Sequence, residues 1–126
     1  MQISVRPGAP IVLSVRVYGH AGTCDLDGLV DTGAIFVTIP REDAARLGYD
    51  VAGAPYLTVT TASGTMEAPT ITLSRVSVGE FEVRNVQALC VDLELAGFSS
   101  ILGLSLLSRL NLNLDHKRQT LTITDP

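Results

Sequence analysis

Between Leu29 and Pro40 the sequence reads LVDTGAIFVTIP. Leu29 and Val30 on one side, and Ile35, Phe36, Val37 and Ile39 on the other, have the apolar character of buried strands. Asp31-Thr32-Gly33 interrupts them. Asp-Thr-Gly is good turn chemistry, so two buried strands meet at a sharp corner, with a carboxylate at the end of the first. A carboxylate placed there is costly unless something pairs with it or uses it.

The rest of the chain reads mainly as strands. Ile11 to Gly19 alternates Leu13, Val15 and Val17 with Val12, Ser14 and Arg16, the period of a half-buried strand. Gly19-His20-Ala21-Gly22 turns the chain, and Thr23 to Asp31 returns as the second strand of a hairpin. Pro40 to Gly48 carries helix signals: Pro at the first turn, Glu42 and Asp43 near the start, Gly at the stop. Two strands, Tyr56–Ala62 and Thr65–Leu73, flank a tight tip at Ala62-Ser63-Gly64. Pro69 predicts an edge or a bulge in its strand. Two further strands join at Gly79-Glu80, and residues 95–100 read as a loop. From Ile101 an apolar strand passes Gly103 into a helix with Leu104, Leu107 and Leu110 on one side. Gln119 to Pro126 is a terminal strand. The two strand-turn-helix segments, after Leu29 and after Ser99, form a weak internal repeat, which suggests two similar motifs crossing each other.

Composition narrows the function. At 126 residues the chain is one domain, long enough for a core without disulfides or metals. It is 46% hydrophobic and only 17% charged, which excludes a disordered chain. A net charge of −4 with scattered Lys and Arg argues against nucleic-acid binding. No apolar run is long enough to span a bilayer and the N-terminus lacks signal-peptide regions, so the expected location is cytoplasmic. Cys24 and Cys90 sit far apart in apolar settings and are expected to be buried free thiols. Two His and two Cys without close spacing give no zinc site. Asp25, Asp27 and Gly28 begin like a calcium loop, but the later ligands are missing. Asp115-His116 has no G-x-S-x-G elbow to complete a serine hydrolase. The absence of Trp leaves a glycosidase without a sugar platform. Asp92, Glu94 and Glu67 are expected to be solvated.

Three pieces stand in order: Asp31-Thr32-Gly33-Ala34 after Leu29-Val30, a Gly-tipped hairpin at Thr61-Ala62-Ser63-Gly64-Thr65, and Ile101-Leu102-Gly103 before a helix. With Ile39-Pro40 and the short Ala44-Ala45-Arg46-Leu47-Gly48 helix end, this set resembles the retropepsin-like aspartic proteases, especially the bacterial single-domain type. The likeness runs from about Ile11 to Ile123. It implies an all-β, retropepsin-like closed barrel with two short helices and an active site on the two-fold axis of a homodimer. It also implies that Thr32 hydrogen-bonds across the axis and holds two Asp residues coplanar. Members of the family that carry an N-terminal anchor work outside the cytoplasm, so membrane attachment is expected only if such an anchor has been removed.

The chemistry follows from the residues. Hydrolysing a peptide without a covalent intermediate needs a base for water and an acid for the carbonyl oxygen or the leaving nitrogen. Two carboxylates about 3 Å apart share one proton and supply both. This chain has one Asp-Thr-Gly, and its second half offers only Ile101-Leu102-Gly103, so Asp31 needs the Asp31 of a second copy. With the roles the resemblance implies, catalysis is assigned to Asp31, Thr32 and Gly33. Substrate contact is assigned to Ala34, Ile35, Ala62, Ser63, Gly64 and Leu102, with Val37 adding to an apolar lining. Gly33 permits the sharp turn, Ala34 lets substrate lie close, and Ser63-Gly64 is the tip of a flap closing over an extended peptide. Ile35 departs from the family, which has Asp, Thr or Ser after Asp-Thr-Gly-Ala. No metal or organic cofactor is expected. The expected activity is that of an aspartic endopeptidase on extended polypeptides. The alternative is a non-catalytic dimer of the same fold that binds peptides or only dimerises.

Overall fold

Alternation decides the first hairpin. Along β2 (Val12–Gly19), Leu13, Val15 and Val17 are buried while Val12, Ser14 and Arg16 face out. β3 (Gly22–Val30) returns antiparallel, in register from Val12 opposite Leu29 to Gly19 opposite Gly22. The computed structural model describes residues 1–61, 64–93 and 97–125. The other elements are β1 (Gln2–Ser4), β4 (Val37–Ile39), α1 (Arg41–Arg46), β5 (Tyr56–Thr61), β6 (Gly64–Val78), β7 (Phe81–Cys90), β8 (Ser100–Leu102), α2 (Leu104–Leu107), β9 (Asn111–Asp115) and β10 (Thr120–Thr124). One sheet runs β4-β7-β6-β2-β3-β8, with β5 paired to β6, and a smaller one runs β1-β10-β9. Within this all-β architecture the core collects Val15, Val17, Leu73, Val76, Val86, Leu106 and Ile123.

The larger sheet curls until its ends, β4 and β8, nearly close a barrel. The seam is polar. The Thr38 Oγ1 accepts the Ile101 N–H at 2.8 Å, and the Ser100 hydroxyl donates to the Thr38 carbonyl at 2.5 Å. Both side chains are buried, so each bond replaces a ladder bond that the barrel ends cannot form directly. Ser100→Ala is expected to lose about 1–2 kcal/mol of stability, seen as a lower urea midpoint with an unchanged m-value. An unchanged midpoint would mean that packing alone holds the seam.

A second irregularity sits between β6 and β7. Their register is regular on both sides of Ser74 and Asn85, but that pair is missing and Asn85 has φ +56°. The inward-facing set changes phase here, from Leu73 to Val76 on β6 and from Val86 to Val83 on β7. Side chains from elsewhere take up the freed backbone groups. The Tyr49 hydroxyl accepts the Ser74 N–H at 2.8 Å and donates to the Tyr18 carbonyl at 2.6 Å. The Arg109 guanidinium donates to the carbonyls of Arg84 and Asn85.

Several expectations need correction. The segments 65–73 and 75–78 are one 15-residue strand, not two. Pro69 is fully buried, and it pairs on one side only, with Tyr56, where the β5 ladder ends and the β7 ladder begins, so its missing N–H falls at a locally unpaired edge. The helix after Gly103 is a single turn, and Asn111–Asp115 is a strand. In this segment Leu106 and Leu107 of the helix and Leu110 beyond it are buried, whereas Leu104 is 40% exposed. Asp92 is exposed as expected, yet its carboxylate accepts the Arg41 N–H at 3.0 Å and caps α1, which has no cap of its own. The terminal strands pair with each other, Gln2 opposite Thr122 to Ser4 opposite Thr120.

Both cysteines are free, but only Cys90 is fully buried; Cys24 is half-buried. Burial pushes both thiols up from their usual range. A raised folded-state value favours the fold fully below the unfolded thiol value of about 8.5, and that contribution is lost as pH rises through the folded value. Stability is therefore expected to decline above about pH 8.5, less steeply in Cys90→Ala. Parallel pH profiles for the two proteins would show that the Cys90 thiol is not linked to folding.

Candidate active site

Asp31 stands where two strands that are distant in sequence run side by side. β3 and β8 are parallel, with Gly28 opposite Ser100 and Val30 opposite Leu102. The ladder continues one step further, from the Asp31 N–H to the Leu102 carbonyl at 3.1 Å. The chain then turns, with the Ala34 N–H on the Asp31 carbonyl at 3.2 Å, and the Gly33 N–H donates to Asp31 Oδ1 at 2.9 Å. That bond fixes one carboxylate oxygen and leaves the other available. Asp31 is half-buried, and Thr32 and Gly33 are exposed.

The loop is pinned from below by the start of α2. Leu104 and Ser105 donate their N–H groups to the Ala34 and Ile35 carbonyls at 2.9 and 2.7 Å. The Ser105 hydroxyl accepts the Val37 N–H at 3.0 Å and donates to the Gln87 carbonyl at 2.7 Å, tying the exit of the loop to α2 and β7. Gly103 makes this approach possible. A Cβ there would stand 2.5 Å from the Phe36 carbonyl oxygen and 2.8 Å from that of Ala34. The space a side chain would need at Gly103 is thus occupied by backbone.

The sequence-predicted residues divide into three groups. Asp31, Thr32, Gly33, Ala34 and Ile35 form one accessible loop, in which Ile35 is 60% exposed. Leu102 and Val37 are buried, and Leu102 packs where a Cβ on Gly28 would stand. They support the loop and offer no side-chain surface to a substrate, which corrects the lining expected of them. Gly64, at φ +127°, begins β6 opposite Thr61, so the β5–β6 hairpin is present; Ala62 and Ser63 lie outside the described residues. Beside the loop a groove of about 570 Å³ is lined by Ile35, Phe36, Leu104, Thr72, Gln87 and Arg109, among others. Asp31 does not line it. Sequence reasoning missed Ser105, Thr38 and Ser100. The signal available was a hydroxyl at each of three positions in otherwise apolar runs.

No group of three or more metal-ligating side chains occurs among the described residues. The arrangement is one anchored, half-buried carboxylate next to a turn of exposed residues.

Known proteins resemble this chain in sequence and in fold. The family described as "gag-polyprotein putative aspartyl protease" matches residues 17–109. The crystal structure of a retropepsin-like aspartic protease from Rickettsia conorii superposes with a TM-score of 0.73 at 29% identity, over 98% of this chain and 88% of that one. A Sinorhizobium protein described as an uncharacterized protein in the cobV 5' region is 35% identical over 109 residues, 81% of this chain. This chain spans 46% of that relative's length.

Proposed function

The chain belongs to the gag-polyprotein aspartyl protease family and has a retropepsin-like fold, and on that premise we propose that it is an aspartic endopeptidase assembled from two copies. The observation that carries the proposal is Asp31 itself. It is an accessible carboxylate on a loop braced from three elements, with no second carboxylate of this chain in a matching Asp-Thr-Gly. A second copy related by a two-fold axis supplies the missing acid.

In the pair, one carboxylate is ionised and the other holds the shared proton. The ionised Asp31 takes a proton from water as its oxygen attacks the scissile carbonyl carbon. The protonated Asp31 gives its proton to the carbonyl oxygen. The tetrahedral diol then collapses: the C–N bond breaks, the leaving nitrogen takes the proton from the Asp31 that received it from water, and a diol hydroxyl returns its proton to the other Asp31. Thr32 holds the two loops together, and Gly33 and Ala34 leave room for substrate backbone. The β5–β6 hairpin acts as the flap, with Ala62, Ser63 and Gly64 over an extended polypeptide. Exposed Ile35 favours apolar side chains beside the scissile bond. The β1-β10-β9 sheet joins the contact between the two copies.

The test is hydrolysis of unfolded casein. Cleavage is expected at acidic to near-neutral pH, with two limbs set by the shared-proton pair, and a pepstatin-type transition-state mimic is expected to stop it. No cleavage at any pH would favour the non-catalytic dimer. A rate still rising above about pH 8 would exclude an Asp pair as the catalyst.

A further inference from the structure

A row of side chains crosses the outer face of the larger sheet at the end of β3 far from Asp31. Thr23 lies opposite Tyr18, Tyr18 opposite Arg75, and Arg75 opposite Arg84. Along β3 this row stands roughly 25 Å from Asp31, at the usual rise per residue. A cavity of about 540 Å³ opens over it, lined by Tyr18, His20, Thr23, Ser74, Arg75 and Arg84, with glycines and Tyr49 completing the wall. That volume is in the range of small-molecule sites.

The charges here do not balance. Like charges directly opposite on paired strands repel, with Cβ atoms about 5 Å apart. Arg75 is relieved by an ion pair to Glu82 at 2.8 Å and by stacking 3.7 Å over the Tyr18 ring. The Arg84 guanidinium has no ion-pair partner among the described residues. None of the lining residues is a carboxylate. The neighbouring row is different: Arg16 and Asp25 are directly opposite and joined at 2.8 Å. A chain with net charge −4 has thus kept two opposed arginines at a cavity and neutralised only one.

We infer that this cavity binds the phosphate group of a small organic molecule. Guanidinium forks match phosphate oxygens with paired N–H donors. His20 and the Thr23 hydroxyl stand on the same wall. Donors arriving from several strands suit a tetrahedral acceptor better than a planar carboxylate. The volume exceeds what phosphate alone fills and leaves space for an organic body. The site goes beyond the proteolytic reading and does not depend on it.

The test uses the whole chain at constant ionic strength, adjusted with sodium chloride. Inorganic phosphate is expected to raise the melting temperature saturably, and phenyl phosphate to do so at lower concentration. Acetate is expected to do neither. Arg84→Gln, on the exposed surface, should fold with equal or higher stability without ligand, because the opposed charge is gone. Its phosphate response should weaken at least about tenfold, the loss of one charge-assisted partner. A response matched by acetate or chloride, an Arg84→Gln variant that binds like the wild type, or phenyl phosphate binding no better than phosphate would each overturn the inference.

Discussion

Asp31→Asn is expected to abolish proteolysis and leave the fold intact. An Asn Oδ1 can accept the Gly33 N–H that Asp31 Oδ1 now accepts at 2.9 Å, so the turn keeps its local bond. Asp31 is half-buried and makes no ion pair among the described residues, so no partner charge is stranded. Removed with the carboxylate is the capacity to take a proton from water, since an amide is neither base nor acid near neutral pH. General acid–base groups contribute about 10²–10⁴ in rate. Here the substitution removes base and acid together, because both come from the same residue in two copies, so a loss of at least about 10³ is expected. The melting temperature should move little. Equal cleavage by the two proteins would place the chemistry elsewhere.

The second large effect is structural. Gly103→Ala is expected to destabilise the protein by about 3 kcal/mol, the upper end for overpacking, or roughly 10 °C in melting temperature for a domain of this size. The reason is what a methyl group would meet. The Phe36 and Ala34 carbonyl oxygens, 2.5 and 2.8 Å away, are backbone and cannot swing aside like a side chain. Moving the Ala34 oxygen would break the bond from Leu104, and shifting the segment to Phe36 would strain the bond from Ser105 to the Ile35 carbonyl between them. Activity should therefore fall further than the folded fraction does. A soluble Gly103→Ala protein with wild-type melting would show that the contact between the loop and α2 is looser than described.

The parts of the fold governed by local rules were legible in the sequence. Leu13, Val15 and Val17 alternate with polar or exposed neighbours, and the strand they predict is present with that face inward. Pro40 and Gly48 bracket α1 closely. The corner at Asp31-Thr32-Gly33 was readable because Gly and a turn-forming Asp break two apolar runs. The misreadings occurred where long-range packing decides. Leu104, Leu107 and Leu110 have helical spacing, but the chain takes one turn and buries Leu106 in place of Leu104, since the start of α2 must reach the Ala34 and Ile35 carbonyls. The kink at Ser74 and Asn85 leaves no local mark, because Tyr49 and Arg109, which satisfy it, are distant in sequence. The seam between Thr38 and Ser100 was hidden for a similar reason. A hydroxyl in an apolar strand reads as an outward position unless the two ends of a sheet are known to meet. Leu102 and Val37 were assigned to a substrate surface because apolar residues near a catalytic motif invite it, and burial assigns them to its foundation.

The central claim is that the active site is complete only when two copies meet, and mixing experiments test it most directly. Wild type is combined with an equal amount of Asp31→Asn protein, with time allowed for subunits to exchange. If each site needs Asp31 from both copies, activity per wild-type chain should fall to about half, because random pairing puts half of those chains with an inactive mate. Activity per wild-type chain that stays constant at every mixing ratio, with exchange demonstrated, would mean that one chain suffices and would contradict a site built from two Asp31 residues.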